Sequence, residues 1–208
     1  MSILIDEHTN VLVQGITGRI GRVQTGHMKK AGTRIVAGVT PGKGGMVVEE
    51  VPVYGSVQEA QRKHPIDASV LFVPPAVALA SCLEAIDAGV KLILLITEHV
   101  PVHDTMRIRA YSKKKGARMI GPTTPGVIVP EKCKIGIMPM NLFCSGPVGI
   151  ISRSGTLAYE IAGELMAAGI GQSTVVEVTT GVPAAIASKG GKPKPSYNEG
   201  KANASAAS

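Results

Sequence analysis

Three short stretches place residue types where they could bind an anion. "GITGRIG" spaces Gly15, Gly18 and Gly21 evenly along a tight turn. Glycines at such positions accept positive φ and let a ligand come close to the backbone. The helix that follows offers unpaired N–H groups and a positive dipole end to a phosphate. "TPGKGG" sets Lys43 among glycines, where its ammonium can meet a ligand as a point charge. "SRSGTLAYE" repeats the first design, with Ser154, Gly155 and Thr156 opening a helix and adding hydroxyls to the N–H groups. A plain Ser N-cap accounts for that stretch only in part, since a cap has no need of an adjoining glycine. A lone glycine turn is equally weak evidence, and its value depends on the elements around it.

Those elements alternate. The pattern predicts strands over 10–14, 33–40, 68–73, 91–97 and 117–121, with a short one over 51–55. Between them it predicts helices over 19–31, 56–64, 76–89 and 102–116. Ser56 and Glu59 form a capping box, and Gly32, Gly89 and Gly116 stop three of the helices. Strands and helices in alternation mean βαβ crossovers on a parallel sheet, so residues 1–121 read as one Rossmann-like α/β domain. Residues 122–146 are rich in Pro and Gly and read as an irregular connector. Residues 147–180 restart the pattern with a strand, a Ser/Gly turn, a helix and a strand. A single βαβ piece of that size cannot bury a core of its own, so this second, incomplete, flavodoxin-like α/β unit must lean on something else. Residues 181–208 are small, polar and broken by Pro and Gly, and read as a disordered tail.

The glycine turn follows the first strand, as a nucleotide site requires. An NAD site wants an acid at the end of the second strand to hold the ribose hydroxyls. Here that strand runs into "VTPGKGG", with no acid before Glu49. Lys43 in that place suits a ligand with phosphate on its ribose, and both NADP and coenzyme A qualify.

Composition narrows the class. The net charge of +7 suggests nucleic acid until the charge is located. From Ala184 onward four lysines stand against Glu199, which leaves +4 for the rest. Lys113, Lys114 and Lys115 fall at a helix end, where cations complement the dipole. Aromatic residues make up only 3%, too few to stack bases, so no nucleic-acid partner is expected. The longest apolar run is far too short for a bilayer, and no membrane partner is expected. Cys82, Cys133 and Cys144 form no CxxC pair and suggest reduced structural thiols in a cytoplasmic setting. No metal-ligand spacing is present.

A family resemblance joins these stretches. "GITGRIG", "GVTPGKGG", "EAIDAGVKLILLITEHVP", "RMIGPTTPGVIVPEKCKIGIMP" and "GIISRSGTLAYE" follow in the order and spacing seen in the α subunit of succinyl-CoA synthetase and related acyl-CoA ligases, malate–CoA ligase included. The resemblance covers residues 2 to about 178. It implies a ligase of the tricarboxylic acid cycle type, joining a small carboxylic acid to CoA at the expense of a nucleoside triphosphate held by a β subunit. It implies that Thr17, Gly18, Arg19 and Ile20 line the CoA phosphates and that Lys43 meets the nucleotide end. Val73 and Pro74 would flank the cofactor, with Ile96, Thr97 and Glu98 along its third side. Ser154, Gly155 and Thr156 would bind phosphate, and Tyr159 would lie near the acid.

The resemblance has gaps. The family's phosphohistidine belongs to a Gly-His-Ala-Gly stretch, and none of His8, His27, His64, His99 and His103 has that context. "TTGVPAAIA" stands near the place of the family's Gly-Gly-Asp-Pro. Thr123 and Thr124 stand where relatives usually carry Asn and Cys or Ser. No catalytic residue is therefore assigned, and the chain alone is expected to be inactive. Two other readings stay open: a CoA-binding regulatory or scaffolding module, and an NADP-dependent reductase, since "GITGRIGR" also resembles the opening of dihydrodipicolinate reductases.

Overall fold

The computed structural model describes residues 4–178. The expected tail, 181–208, lies outside them. Seven strands form the first sheet: β1 (Asn10–Gln14), β2 (Arg34–Val39), β3 (Val47–Val48), β4 (Val51–Tyr54), β5 (Ala68–Leu71), β6 (Leu92–Leu95) and β7 (Arg118–Ile120). Their order is β3-β4-β2-β1-β5-β6-β7, parallel throughout except for the β3–β4 hairpin. Four helices connect them: α1 (Arg19–Lys30), α2 (Val57–Gln61), α3 (Pro75–Asp87) and α4 (Val102–Lys115).

The strands are apolar on both sides because both faces are covered. Val11 and Val13 of β1 join Met28 of α1 in one core. Leu12, one residue out of phase, joins Ala78, Cys82 and Ile86 of α3 in the other. Burial pushes the Cys82 and Cys133 thiols up to about 12, and all three cysteines are free, so these two act as packing groups.

Helix ends follow local chemistry. The Ser56 hydroxyl accepts from the Glu59 N–H at 3.2 Å. The Glu59 carboxylate accepts in return from Gly55 N–H, one residue before the partner a standard capping box uses. The Lys113–Lys115 run closes α4 before Gly116 at φ +70°, and Lys115 pairs with Asp87 of α3 at 3.0 Å. Its charge thus serves the helix end.

The second sheet departs from expectation. Residues 126–136, expected to be irregular, form an antiparallel hairpin of β8 (Gly126–Val129) and β9 (Cys133–Gly136). The prolines and glycines sit at the ends of two buried four-residue strands, and their density hides the strands. With β10 (Ser145–Ser152), α5 (Gly155–Ala167) and β11 (Gln172–Glu177), the hairpin completes a sheet of order β10-β11-β8-β9. The β10–α5–β11 unit therefore does not stand alone. Ile128 of the hairpin packs with Ile150, Val175, Ala158 and Ala162. Val127, Val129 and Ile135 face the other way, into the core beneath α1. The Thr33 hydroxyl fastens this joint, donating to Lys134 C=O at 2.5 Å and accepting from Lys134 N–H at 3.0 Å. No helix among the described residues is long and apolar enough to cross a membrane.

Candidate functional site

The first candidate site lies along the carboxyl ends of β2, β1, β5 and β6. β1 pairs with β2 on one side and β5 on the other, so the chain winds outward in both directions from this point. Open parallel sheets bind ligands at such a reversal. Gly15 sits there at φ +75°, its N–H donating to Val39 C=O at 2.8 Å. A Cβ on Gly15 would come within 2.6 Å of Phe72 O at the end of β5. One on Gly21 would meet Gly15 O at 2.2 Å, so the turn lies directly against the helix it feeds. These two glycines are demanded by geometry.

Helix α1 then begins without a capping side chain and without an acid in its first turn. Gly18, Arg19 and Ile20 are exposed there, and Ile20 is 59% accessible. Leading N–H groups and the positive dipole end are left to an outside acceptor. Thr17 reaches across to β2, its hydroxyl 3.2 Å from that of Thr40. The Lys43 N–H donates to Thr40 C=O at 3.1 Å, which ties the exposed lysine loop to the same row. On the other side the Thr97 hydroxyl donates to Val73 C=O at 2.7 Å, beside Pro74. The structure thus brings Thr17 to Ile20, Lys43, Val73, Pro74 and Thr97 to one edge of the sheet.

The second candidate site is an open cavity of about 210 Å³ where the two sheets meet. Ile96 and Glu98 enter it from the end of β6, and Thr123 and Thr124 from the loop after β7. Arg153, Gly155 and Glu177 enter from the second sheet. Gly155 is the first residue of α5, and the Ser154 hydroxyl caps the helix by accepting from Leu157 N–H at 3.4 Å. Ser154 and Thr156 are exposed on this first turn. Tyr159 lies one turn further on, half-buried, edge-on to Phe143 at 6.0 Å. It does not line the cavity, and burial with the nearby Glu177 pushes its hydroxyl up to about 12.

Glu177 and Arg153 escaped the reading of the sequence. Glu177 ends β11 and is only 3% exposed, with Oε1 lacking any hydrogen-bond partner among the described residues. A Cβ on Gly155 would sit 2.8 Å from its Oε2, so the carboxyl group packs against the start of α5. Burial raises it from 4.5 to about 7. The available signal was an acid inside the apolar run "TVVEV". None of the five histidines lines the cavity.

Residues 6–99 match the CoA-binding domain family. This stretch is a CoA-binding domain. The match spans the glycine turn, Lys43 and the ends of β5 and β6, and leaves the β8–β9 hairpin and α5 outside it. A wider likeness reaches those as well. The chain is 54% identical over 178 residues to succinate–CoA ligase [ADP-forming] subunit alpha 2 of Archaeoglobus fulgidus, covering 86% of this chain and 62% of that one. It is 51% identical over 176 residues to the corresponding subunit alpha of Methanothermobacter thermautotrophicus, covering 85% and 60%. The chain thus spans about three fifths of the length of these curated relatives. Among solved structures, ATP citrate lyase of Methanothrix soehngenii, in complex with citrate and coenzyme A, shares the fold at a TM-score of 0.72 and 21% identity, over 85% of this chain and 32% of that one. The dinucleotide-forming acetyl-coenzyme A synthetase 1 of Ca. Korarchaeum cryptofilum does so at 0.69 and 21%, over 83% and 39%.

Around the CoA-binding domain the geometry suits the cofactor. The Gly15 turn packs directly against the end of β5, α1 opens uncapped, and Lys43 is exposed on its loop.

Proposed function

We propose that this chain is the CoA-binding α-type part of an acyl-CoA synthetase of the succinate–CoA ligase kind. The observation that carries the reading is the shared cavity. Ile96 and Glu98, at the CoA side of the first sheet, line the same space as Gly155 at the opening of α5. A site for CoA and a seat for phosphate on one chain are what joining an acid to a thiol through an activated phosphate requires.

The roles divide as follows. The N–H groups of Arg19 and Ile20 hold the CoA phosphates beside Thr17 and Gly18, whose own N–H donates to Gly15 C=O at 3.0 Å, and Lys43 neutralises the phosphate on the ribose. Val73, Pro74, Ile96, Thr97 and Glu98 flank the cofactor. CoA, when bound, supplies the thiol that becomes the thioester. Ser154, Gly155 and Thr156 hold a phosphate at the start of α5. Tyr159 borders the acid substrate. A β subunit in the cytoplasm binds the nucleoside triphosphate and completes a hetero-oligomer.

No histidine lines the cavity among the described residues, and phosphate transfer through a phosphohistidine needs one within reach of donor and acceptor. On this reading the described residues bind CoA and phosphate, and turnover waits on a histidine that they do not supply. The test is titration with CoA and NADPH side by side, followed by assay with a β subunit and ATP. CoA is expected to bind and NADPH not to. Acyl-CoA is expected only when a second polypeptide carrying a Gly-His-Ala-Gly segment is added. Preference for NADPH, or acid-labile phosphate on this chain after incubation with ATP and a β subunit, would overturn the reading.

A further inference from the structure

A carboxyl group at the opening of an anion-binding helix is an unexpected neighbour. An ionised carboxylate repels the anion that the helix end attracts, unless a proton lies between them. Glu177 is placed to hold or receive that proton. It is 97% buried, its Oε1 has no partner among the described residues, and it lines the cavity together with Gly155. We propose that Glu177 makes the α5 opening selective for an oxyanion that brings its own proton, namely inorganic phosphate, over one that is fully ionised. The proposal rests on the reading of Ser154, Gly155 and Thr156 as an oxyanion seat and adds to it the choice of ion.

The chemistry is one of proton ownership. At pH 8 hydrogen phosphate and sulfate are both tetrahedral dianions of similar size, but only hydrogen phosphate has an O–H to donate. It can donate to ionised Glu177 while its other oxygens accept from the helix N–H groups. Sulfate has only acceptors, so Glu177 must first take up a proton from solvent. The other charged or titratable groups around Glu177 are few. Arg153 reaches the cavity from the β10–α5 turn, Glu98 from beyond β6, and Tyr159 faces it from α5. Strand β8 pairs beside it with Val127 and Ile128, which carry no charge. Arg153 favours any anion and so does not discriminate. Glu98 is exposed and opposes both dianions alike.

Linkage gives the signature. Burial holds the Glu177 carboxyl at about 7. The fraction of chains ready for sulfate therefore falls about 50-fold between pH 7 and 9, approaching tenfold per pH unit. Phosphate should change by less than about fourfold over that span, because the ligand supplies the proton.

The experiment is equilibrium dialysis of labelled phosphate and labelled sulfate at pH 7 and pH 9, with saturating CoA to fill the α1 turn. Wild-type chain is expected to bind both at pH 7 and phosphate alone with useful affinity at pH 9. In Glu177→Gln the amide can donate to either ion, so sulfate binding should become flat with pH and match phosphate at pH 9. The wild-type pH profile tests the idea even if the variant fails to fold. Phosphate and sulfate weakening in parallel would overturn the role of Glu177 and leave the oxyanion seat standing. Binding of neither ion at pH 7, with CoA still bound, would overturn the seat and this inference together.

Discussion

Replacing Gly15 with Ala tests whether the turn at the strand reversal is as closely built as its geometry says. Two independent costs follow from the structure. At φ +75° an L side chain crowds its own carbonyl, which costs about 1–2 kcal/mol. The new methyl group would also lie 2.6 Å from Phe72 O and 3.1 Å from Phe72 C, well inside normal contact. Those atoms are backbone, held in register by the β1–β5 pairing of Gln14 with Leu71, so they cannot swing away. Overpacking of this kind costs about 1–3 kcal/mol. The sum is about 2–5 kcal/mol, a large part of the margin of a typical domain. Urea unfolding midpoints would measure it, and CoA titration should show weaker binding, because the end of β5 that carries Val73 must move. Gly18→Ala is the control. Its φ of −70° is ordinary and its added methyl lies 3.2 Å from Gly15 O, so the stability loss should stay below about 1 kcal/mol. A Gly15→Ala loss under 1 kcal/mol would refute the claim that the β1 turn and the end of β5 are packed without slack.

Two further outcomes separate charge from packing. Lys43→Ala should weaken CoA by about 1 kcal/mol or more while leaving 3′-dephospho-CoA nearly unchanged, because one charge-assisted contact is lost; equal losses would place the lysine elsewhere on the ligand. Glu177 should also make stability pH-dependent. Its folded value of about 7 lies above the unfolded 4.5, so the stability it contributes is complete below about pH 4.5 and is lost as pH rises through 7. Glu177→Gln, titrating nowhere in this range, should gain on the wild-type chain by up to about 3 kcal/mol above pH 7 in thermal or urea unfolding at matched salt; a constant difference across the range would mean that Glu177 is solvated in the folded state.

The first sheet was legible because its signals are local. Val11 to Val13, Val70 with Leu71, and Ile93 to Leu95 are uninterrupted apolar runs, and the first two are followed within three residues by Gly15 and Pro74. The glycine turn could likewise be read, since Gly15 and Gly21 answer to steric demands within a few residues of chain. The second sheet could not be read this way. "GVIV" and "CKIG" are four-residue strands framed by proline, and nothing nearby says that β8 must pair with β11, some fifty residues on. That pairing is a tertiary choice. It exists because Ile128 has Val175 to pack against on one face while Val127 has Met28 on the other.

The same long-range pairing explains why the cavity's most unusual residue went unseen. An acid at position 177 stands between Val176 and Val178 in the sequence, and nothing local says which side of the strand is covered. The fold buries it because β11 lies between β10 and β8, and because the start of α5 crosses its end. The Thr124 hydroxyl then fixes that end, donating to the Glu177 C=O at 2.5 Å and accepting from Gly126 N–H at 3.1 Å. The loop after β7, which the first sheet delivers to its own ligand edge, therefore also sets the position of Glu177. Moving Thr124 would shift the cavity wall and the end of β11 together. The Thr124 link thus joins the loop after β7, at the carboxyl edge of the first sheet, to the end of β11 beside the opening of α5.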